Sequence, residues 1–394
     1  MQGRITHLYR DERGMSFVYV GMGFMGFLAA STLAIDVGMF MTAKAQAQNA
    51  ADAGALAGAV GLVKNSWTDR SATGPAVQSA INTAKSNAVI GQTPTVLTSD
   101  VTFPVSPEGQ ANRVKVQVFR SASHDPASPN AVPTLMGSLF GLNSVDIFAT
   151  ATAEVSPANA MTCVKPFMIP DKWTEKQTPD WDPGDSYEKY TKGGAPLPNP
   201  DVYIPARDAA GNDNSNYTGY TVEHDRGTEL VLRAGTGDQI NPSFYYSWKM
   251  PGDTGGDFYR ENIENCNQSL MSWGDVIVQE PGSMSGPTIQ GIQALIAKDP
   301  GAKWDTGCSC VKGSKFATSP RVFPIPLYDP AKYADGKANG RVADFEIANF
   351  LGFFADHVSG NAIYGRITDI VGIVDKKAGK APINSFPKAI RLVQ

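Results

Sequence analysis

Residues 15–35, MSFVYVGMGFMGFLAASTLAI, run for 21 positions without a formal charge. As a helix they measure about 32 Å, against a bilayer hydrocarbon core of roughly 30 Å. A buried helix of a soluble protein seldom stays apolar on every face for about six turns. A secretory signal has a shorter apolar region, about 7–15 residues, before a small-residue cleavage site. Here the run continues without a break into DVGMFMTAKAQAQNAADAGALAGAVGLV at 36–63. The stretch therefore predicts one membrane span. Arg4, Arg10 and Arg13 precede it and only Lys44 follows closely, an excess of positive charge that keeps residues 1–14 in the cytoplasm and exports the remainder.

Asp36 stands at the outer end of this span. At the bilayer centre a carboxylate costs about 2.5–3.5 kcal/mol, but at the boundary it can reach headgroups or water, or pair with a partner helix. Gly26, Ala30, Ala34 and Gly38 recur every four residues, a small-residue face that lets another helix approach closely. Asp36 and these four form the candidate helix-partner contact. Beyond the span the chain holds no proline up to Val63 and is rich in strong helix formers, so the helix is expected to continue out of the membrane as a stem. Ala43, Ala47, Ala50, Gly54, Ala57 and Gly61 lie on one heptad-spaced stripe suited to close packing, and Lys44, Gln48 and Asp52 occupy a separate polar face.

Arg13-Gly14, the apolar run, Ala34-Ile-Asp-Val-Gly38 and Gln48-Asn-Ala-Ala-Asp-Ala-Gly-Ala-Leu-Ala-Gly-Ala59 resemble the N-terminal region of TadG/TadE-like proteins of the tight-adherence (Flp) pilus system. The resemblance is strong over about the first 60 residues and looser to about residue 155. It implies a bacterial inner-membrane protein with exported domains, a role in pilus assembly, and a relation to type IVb pseudopilins. Two features depart from the family pattern. Pilin-like precursors are cut after a Gly and carry a Glu five residues on, whereas Tyr19 holds that place after Gly14; the helix therefore reads as a retained stem. Many TadG proteins also carry a von Willebrand A domain with a D-x-S-x-S metal motif, and Asp213-Asn-Ser215-Asn-Tyr217 lacks the second Ser.

The chain of 394 residues is long enough for two or three folded units besides an anchor. A net charge of -4, with no block of Lys and Arg, argues against nucleic acid as a partner. With 39 Gly, 27 Pro and 18% charged residues, the composition is that of a loop-rich, β-rich exported protein. Residues 64–156 read as a small α+β domain that could fold back on the stem. A helix is expected from Pro75 to Ile90, with Val77, Ile81, Ala84 and Ala88 on one face. Alternation predicts strands over NRVKVQVF from Asn112 and over Ser144 to Val155, and a short helix is expected from Pro133 to Gly141. After a Pro/Asn/Ala linker, residues 161–394 read as a β-rich domain. Its strands are expected near 228–233, 275–279 and 322–327, its helix at 287–298, and an apolar cluster at Ile347 to Phe354. The fold class is thus α+β.

All four cysteines, Cys163, Cys266, Cys308 and Cys310, fall in the exported part, where disulfides persist. Three pairings are open. Cys163 with Cys266 closes a long loop and is favoured, since Cys308 with Cys310 makes a strained local ring. Metal binding by cysteine would want paired C-x2-4-C knuckles, which are absent. Apparent catalytic motifs dissolve on inspection. Gly21-Met-Gly23-Phe-Met-Gly26 sits inside the span, Ser186-Tyr-Glu-Lys189 lacks the companion motifs of acyl-transfer serine enzymes, and in Gly282-Ser-Met-Ser285-Gly286 methionine holds the nucleophile place. His7, His124, His224 and His357 are scattered, and the Asp-rich turns at 180–185 and 208–216 lack the full calcium-loop pattern. No cofactor, no metal and no catalytic activity is expected. The expected partners are the inner membrane and, through the N-terminal helix, pilus-assembly proteins or a second copy. An anchored adhesin or ligand-binding module sharing only this helix is the alternative.

Overall fold

The computed structural model describes residues 15–64, 69–107, 109–178, 180–208, 210–235, 239–280, 282–316, 318–338 and 345–393. The expected lead-in at 1–14 lies outside them. The fold is α+β, and it divides into two compact units. One holds Met1–Ala59, Arg70–Glu154 and Leu392–Gln394; the other holds Val60–Asp69 and Val155–Arg391.

The first unit is built on α1, Met15–Lys64, a single helix of 50 residues and about 75 Å. Its apolar half faces outward on all sides, with Phe17 at 83% exposure and Met25 at 74%. From Ala43 onward one face becomes buried. Against it lies α2, Pro75–Ser86, which opens with Pro at its first turn and buries Ala76, Val77, Ala80, Ile81 and Ala84. The two helices touch through atoms too close for larger side chains. A Cβ on Gly54 would stand 2.9 Å from the Ala84 Cβ, and one on Gly58 would stand 3.1 Å from the Ala80 Cβ. Strand β2, Arg113–Arg120, buries alternate residues, and its Val116 and Val114 press on the same two glycines. β2 pairs antiparallel with β1, Val101–Thr102, on one side. On its other side it pairs with β5, Ile147–Pro157, where Arg113 and Glu154 face each other and form an ion pair at 2.6 Å. Between them, β3 (Val132–Pro133) and β4 (Ser144–Val145) make a small hairpin.

Three expectations shift in this unit. The second helix ends at Ser86 rather than Ile90. The helix expected at Pro133–Gly141 is a single 3-10 turn, Gly137–Phe140, stopped by Gly141 in the left-handed region at φ 82°. The stem's buried row also drifts off the heptad. Ala43, Ala47, Ala50, Gly54 and Gly61 of the stripe are buried, whereas Ala57 is half-buried and Gly58 makes the close contact with α2. A straight helix turns 3.6 residues per turn, so a row held against one straight partner advances by about 20° per heptad.

The second unit is organised around a barrel. Its strands include β6 (Phe167–Pro170), β7 (Glu229–Ala234), β8 (Phe244–Ser247), β9 (Val276–Ile277), β10 (Lys303–Asp305), β11 (Cys310–Lys312), β12 (Val322–Tyr328), β13 (Phe345–Ser359) and β14 (Ala362–Ile367). Among the described residues, six of them close a ring in the order β13, β12, β6, β8, β7, β14 and back to β13. Pairings β12–β6 and β7–β8 are parallel and the rest antiparallel. Closure depends on β13, whose 15 residues are long enough to pair with both β12 and β14. Its pairing with β14 shifts register between Ala355 and His357. Gly352 and Gly365 sit where strands crowd: a Cβ on Gly352 would lie 1.9 Å from the Thr368 carbonyl oxygen.

Phe350, Phe353 and Phe354 of the expected apolar cluster are all fully buried. Phe353 packs on Phe323 in the interior, whereas its neighbour Phe354, pointing the other way, is covered by Trp304 and by the Arg321 guanidinium 4.8 Å from its ring. Helices α3 (Gly256–Glu264) and α4 (Ser285–Lys298) pack closely where Gly291 meets Ile263, and α5 (Pro330–Ala338) follows β12. Of these three, the amino-acid pattern anticipated α4.

Candidate functional site

The five residues of the expected helix-partner contact separate in the structure. Gly26, Ala30, Ala34 and Gly38 are exposed, and a Cβ built on Gly26 or Gly38 would meet nothing within 4 Å. Asp36 lies about 200° around the helix from Ala34, in line with the buried row of Ala43, Ala47 and Ala50. It is 6% exposed. Its carboxylate accepts hydrogen bonds from the amides of Leu135 (2.9 Å), Met136 (3.2 and 3.3 Å) and Gly137 (2.6 Å). These are the free amides that open the 3-10 turn, so an anionic group there satisfies donors the turn itself cannot. The acid thus has partners within its own chain, and among the described residues the small-residue row on the opposite face stands open.

The polar face of the stem is also engaged within the first unit. Lys44 Nζ donates to the Phe148 carbonyl and stands 4.8 Å from that ring. Gln48 Nε2 donates to Asp52 at 2.8 Å and to the Thr150 carbonyl at 3.1 Å, and the Gln46 side chain accepts from the Ile90 amide at 2.7 Å.

In the second unit the cysteines form both Cys163–Cys266 and Cys308–Cys310, with Cα separations of 4.3 and 5.2 Å. The second bridge, read as a strained ring from the sequence, is accommodated in the turn between β10 and β11, where Ser309 takes a φ of 47°. Cys163 and Cys310 both line a cavity of 580 Å³ with Phe316, Val322, Asp369 and Ile373. Asp369 is ion-paired with Arg226 at 3.1 Å.

Two buried ionisable groups escaped sequence reasoning. Asp171, just past β6, accepts from the hydroxyls of Tyr217 (2.7 Å) and Tyr203 (2.9 Å) and from the amides of Tyr220 and Lys172. Burial pushes its carboxyl up to about 6 against these donors. Asn349 of β13 ties the network to the barrel by donating to the Tyr217 hydroxyl at 2.8 Å. Lys165 donates to the carbonyls of Ile263 (2.6 Å) and Asn265 (2.9 Å) at the end of α3, a place that favours a cation. Burial, with Lys298 nearby, brings it down to about 7. Neither residue belongs to a sequence motif, and only the fold makes them conspicuous.

The motif-like residues take structural roles. Ser186 and Lys189 do not meet, since Lys189 pairs with Asp335 at 2.6 Å. Ser285 opens α4. Asp182, Asp185 and Asp208 accept from amides of their own turns. His124 stacks on Phe119 and bonds Asp100 at 2.9 Å, and His357 stacks on Tyr364. Among the described residues no three His, Cys, Asp or Glu gather as a metal site.

A barrel-containing α+β chain led by a helix long and apolar enough to cross a membrane is the class these features define. Within it, residues 15–61 match the family described as "Putative Flp pilus-assembly TadE/G-like". The match covers the helix and stops short of both folded regions beyond it. No curated protein and no solved structure matches the chain.

Proposed function

We propose that this chain is a non-enzymatic, membrane-anchored component of a Tad/Flp-type pilus assembly or secretion apparatus. It crosses the bacterial inner membrane once, with residues 1–14 in the cytoplasm and the folded units on the periplasmic or cell-surface side. Gly26, Ala30, Ala34 and Gly38 receive a neighbouring transmembrane helix, from another assembly protein or a second copy, and the exported units present an interaction surface. One observation carries this reading: within the segment that matches the pilus-assembly family, the small-residue row is exposed and has open space in front of it. In-cell photo-crosslinking from Ala30 and Ala34 tests it. The expected products join the chain to itself or to pilus-machinery proteins, and deletion removes pili. A chain that fractionates as a soluble cytoplasmic protein overturns the reading.

The 580 Å³ cavity favours a second reading, an anchored ligand-binding module or adhesin. Intact pili after deletion, with loss of binding to a surface or small molecule, would favour that role.

A further inference from the structure

The hairpin tip at 134–143, TLMGSLFGLN, contains no charged residue. Leu135 and Leu142 on it are 61% and 51% exposed. Its height along α1 is set by Asp36, because the amides of Leu135, Met136 and Gly137 lie within 3.3 Å of that carboxylate. Asp36 directly follows the 21-residue apolar run, so the tip stands at the level where that run ends.

Several of the tip's backbone groups are paired within the chain. Beyond the three amides on Asp36, Thr134 N–H donates to Asn143 O at 3.1 Å, Leu142 N–H to Gly137 O at 3.0 Å, and Gly141 N–H to Ser138 O at 3.2 Å. The Thr134 hydroxyl donates to the Leu142 carbonyl. Each internal bond lowers the cost of bringing irregular backbone to the edge of a low-dielectric region, although such backbone does not enter the hydrocarbon itself. A charge-free tip with two exposed leucines gains from leaving water, as a tip turned only to solvent would not.

We infer that the 134–143 tip is a second membrane contact, dipping Leu135 and Leu142 into the headgroup–acyl boundary beside the span. The occupant of this apolar surface is lipid, since the tip is continuous with the lipid-facing end of α1. The carboxylate of Asp36 is the latch that sets its depth. This inference rests on the reading of residues 15–35 as a membrane span, and its test separates the two.

Full-length protein is placed in phosphatidylethanolamine/phosphatidylglycerol vesicles, with one added cysteine carrying an environment-sensitive fluorophore. All four native cysteines are paired, so the added thiol alone is labelled. Labels go at Leu135→Cys, Leu142→Cys, Phe27→Cys and Lys85→Cys. The last is a dry-land control: Ala84 packs at the level of Gly54, about 27 Å along the axis from Asp36. Lipid carrying a doxyl quencher near the headgroup should remove roughly half of the emission at 135 and 142 and leave 85 unchanged, as for side chains about 5–10 Å into the interface. A deep quencher should act on 27. Quenching at 27 with none at 135 and 142 overturns the tip contact alone. No quenching at 27 overturns the span and the inference with it. Adding Asp36→Ala should bring the signal at 142 toward the level at 85; undiminished quenching there overturns the latch.

Discussion

The amide of Gly137 lies 2.6 Å from the carboxylate of Asp36, across 101 positions of sequence. That bond, with its companions at Leu135 and Met136, ties an irregular hairpin to one point on a long helix. Asp36→Ala should leave three amides without their acceptor and lower the stability of the first unit by about 1–3 kcal/mol. Hydrogen–deuterium exchange of the detergent-solubilised protein should quicken at 134–143 while α2 stays protected. Unchanged exchange in the tip would show that the bonds contribute nothing.

Gly58 and Gly26 lie on the same helix and should answer a methyl group in opposite ways. A Cβ on Gly58 would stand 2.7 Å from Val114 Cγ1 and 3.1 Å from the Ala80 Cβ. Alanine favours a helix over glycine by about 1 kcal/mol, but overpacking costs about 1–3 kcal/mol, so Gly58→Ala should lower the thermal midpoint. Gly26→Ala meets nothing within 4 Å and should leave it unchanged or higher. If the exposed row receives a partner helix, Gly26→Leu should nonetheless suppress crosslinking from Ala30.

Asp171 supplies a pH dependence whose sign can be worked out. Its carboxyl is raised from 3.8 to about 6 in the folded chain, so between those values the folded state binds more protons than the unfolded one. Its stabilising contribution is present below about pH 4 and is lost as pH rises through about 6. The urea midpoint of wild type minus that of Asp171→Asn should therefore fall across this window. A flat difference would show that the tyrosine hydroxyls keep Asp171 ionised throughout.

Lys165 acts in a different window. Its ammonium is lowered from 10.5 to about 7, so above pH 7 the unfolded chain binds the extra proton and stability rises with pH toward about 10. Lys165→Met should abolish that rise, measured as the urea midpoint on the alkaline side.

The two disulfides should differ in worth. Cys163–Cys266 spans 103 positions and Cys308–Cys310 spans 2. On loop-closure entropy the first is worth about 4–5 kcal/mol and the second about 1–2. Double serine replacement at 163 and 266 should therefore lower the midpoint of the second unit far more than replacement at 308 and 310.

Several elements were legible in advance because their causes are local. The alternation of Val114, Val116 and Val118 marks β2, and proline followed by a 3.6-residue apolar row marks α2 and α4. The pattern at 133–141 predicts a longer helix than the 3-10 turn at 137–140, because the turn is held by an acid about a hundred residues away. The barrel was invisible for a similar reason. β13 reads as an apolar run, and only its partners on both sides show that it closes a ring.

The sequence by itself determined the charge-free apolar stretch, the helix that continues from it, the row of small residues and the α+β class, since each follows from composition or periodicity within a few turns. Tertiary structure decided which of those features are already occupied. It turned Asp36 inward onto three backbone amides, filled the notch at Gly54 and Gly58 with α2 and β2, and left Gly26 and Gly38 open. The reason is geometric: helical periodicity states which residues share a face, whereas what comes to lie against that face depends on chain distant in sequence.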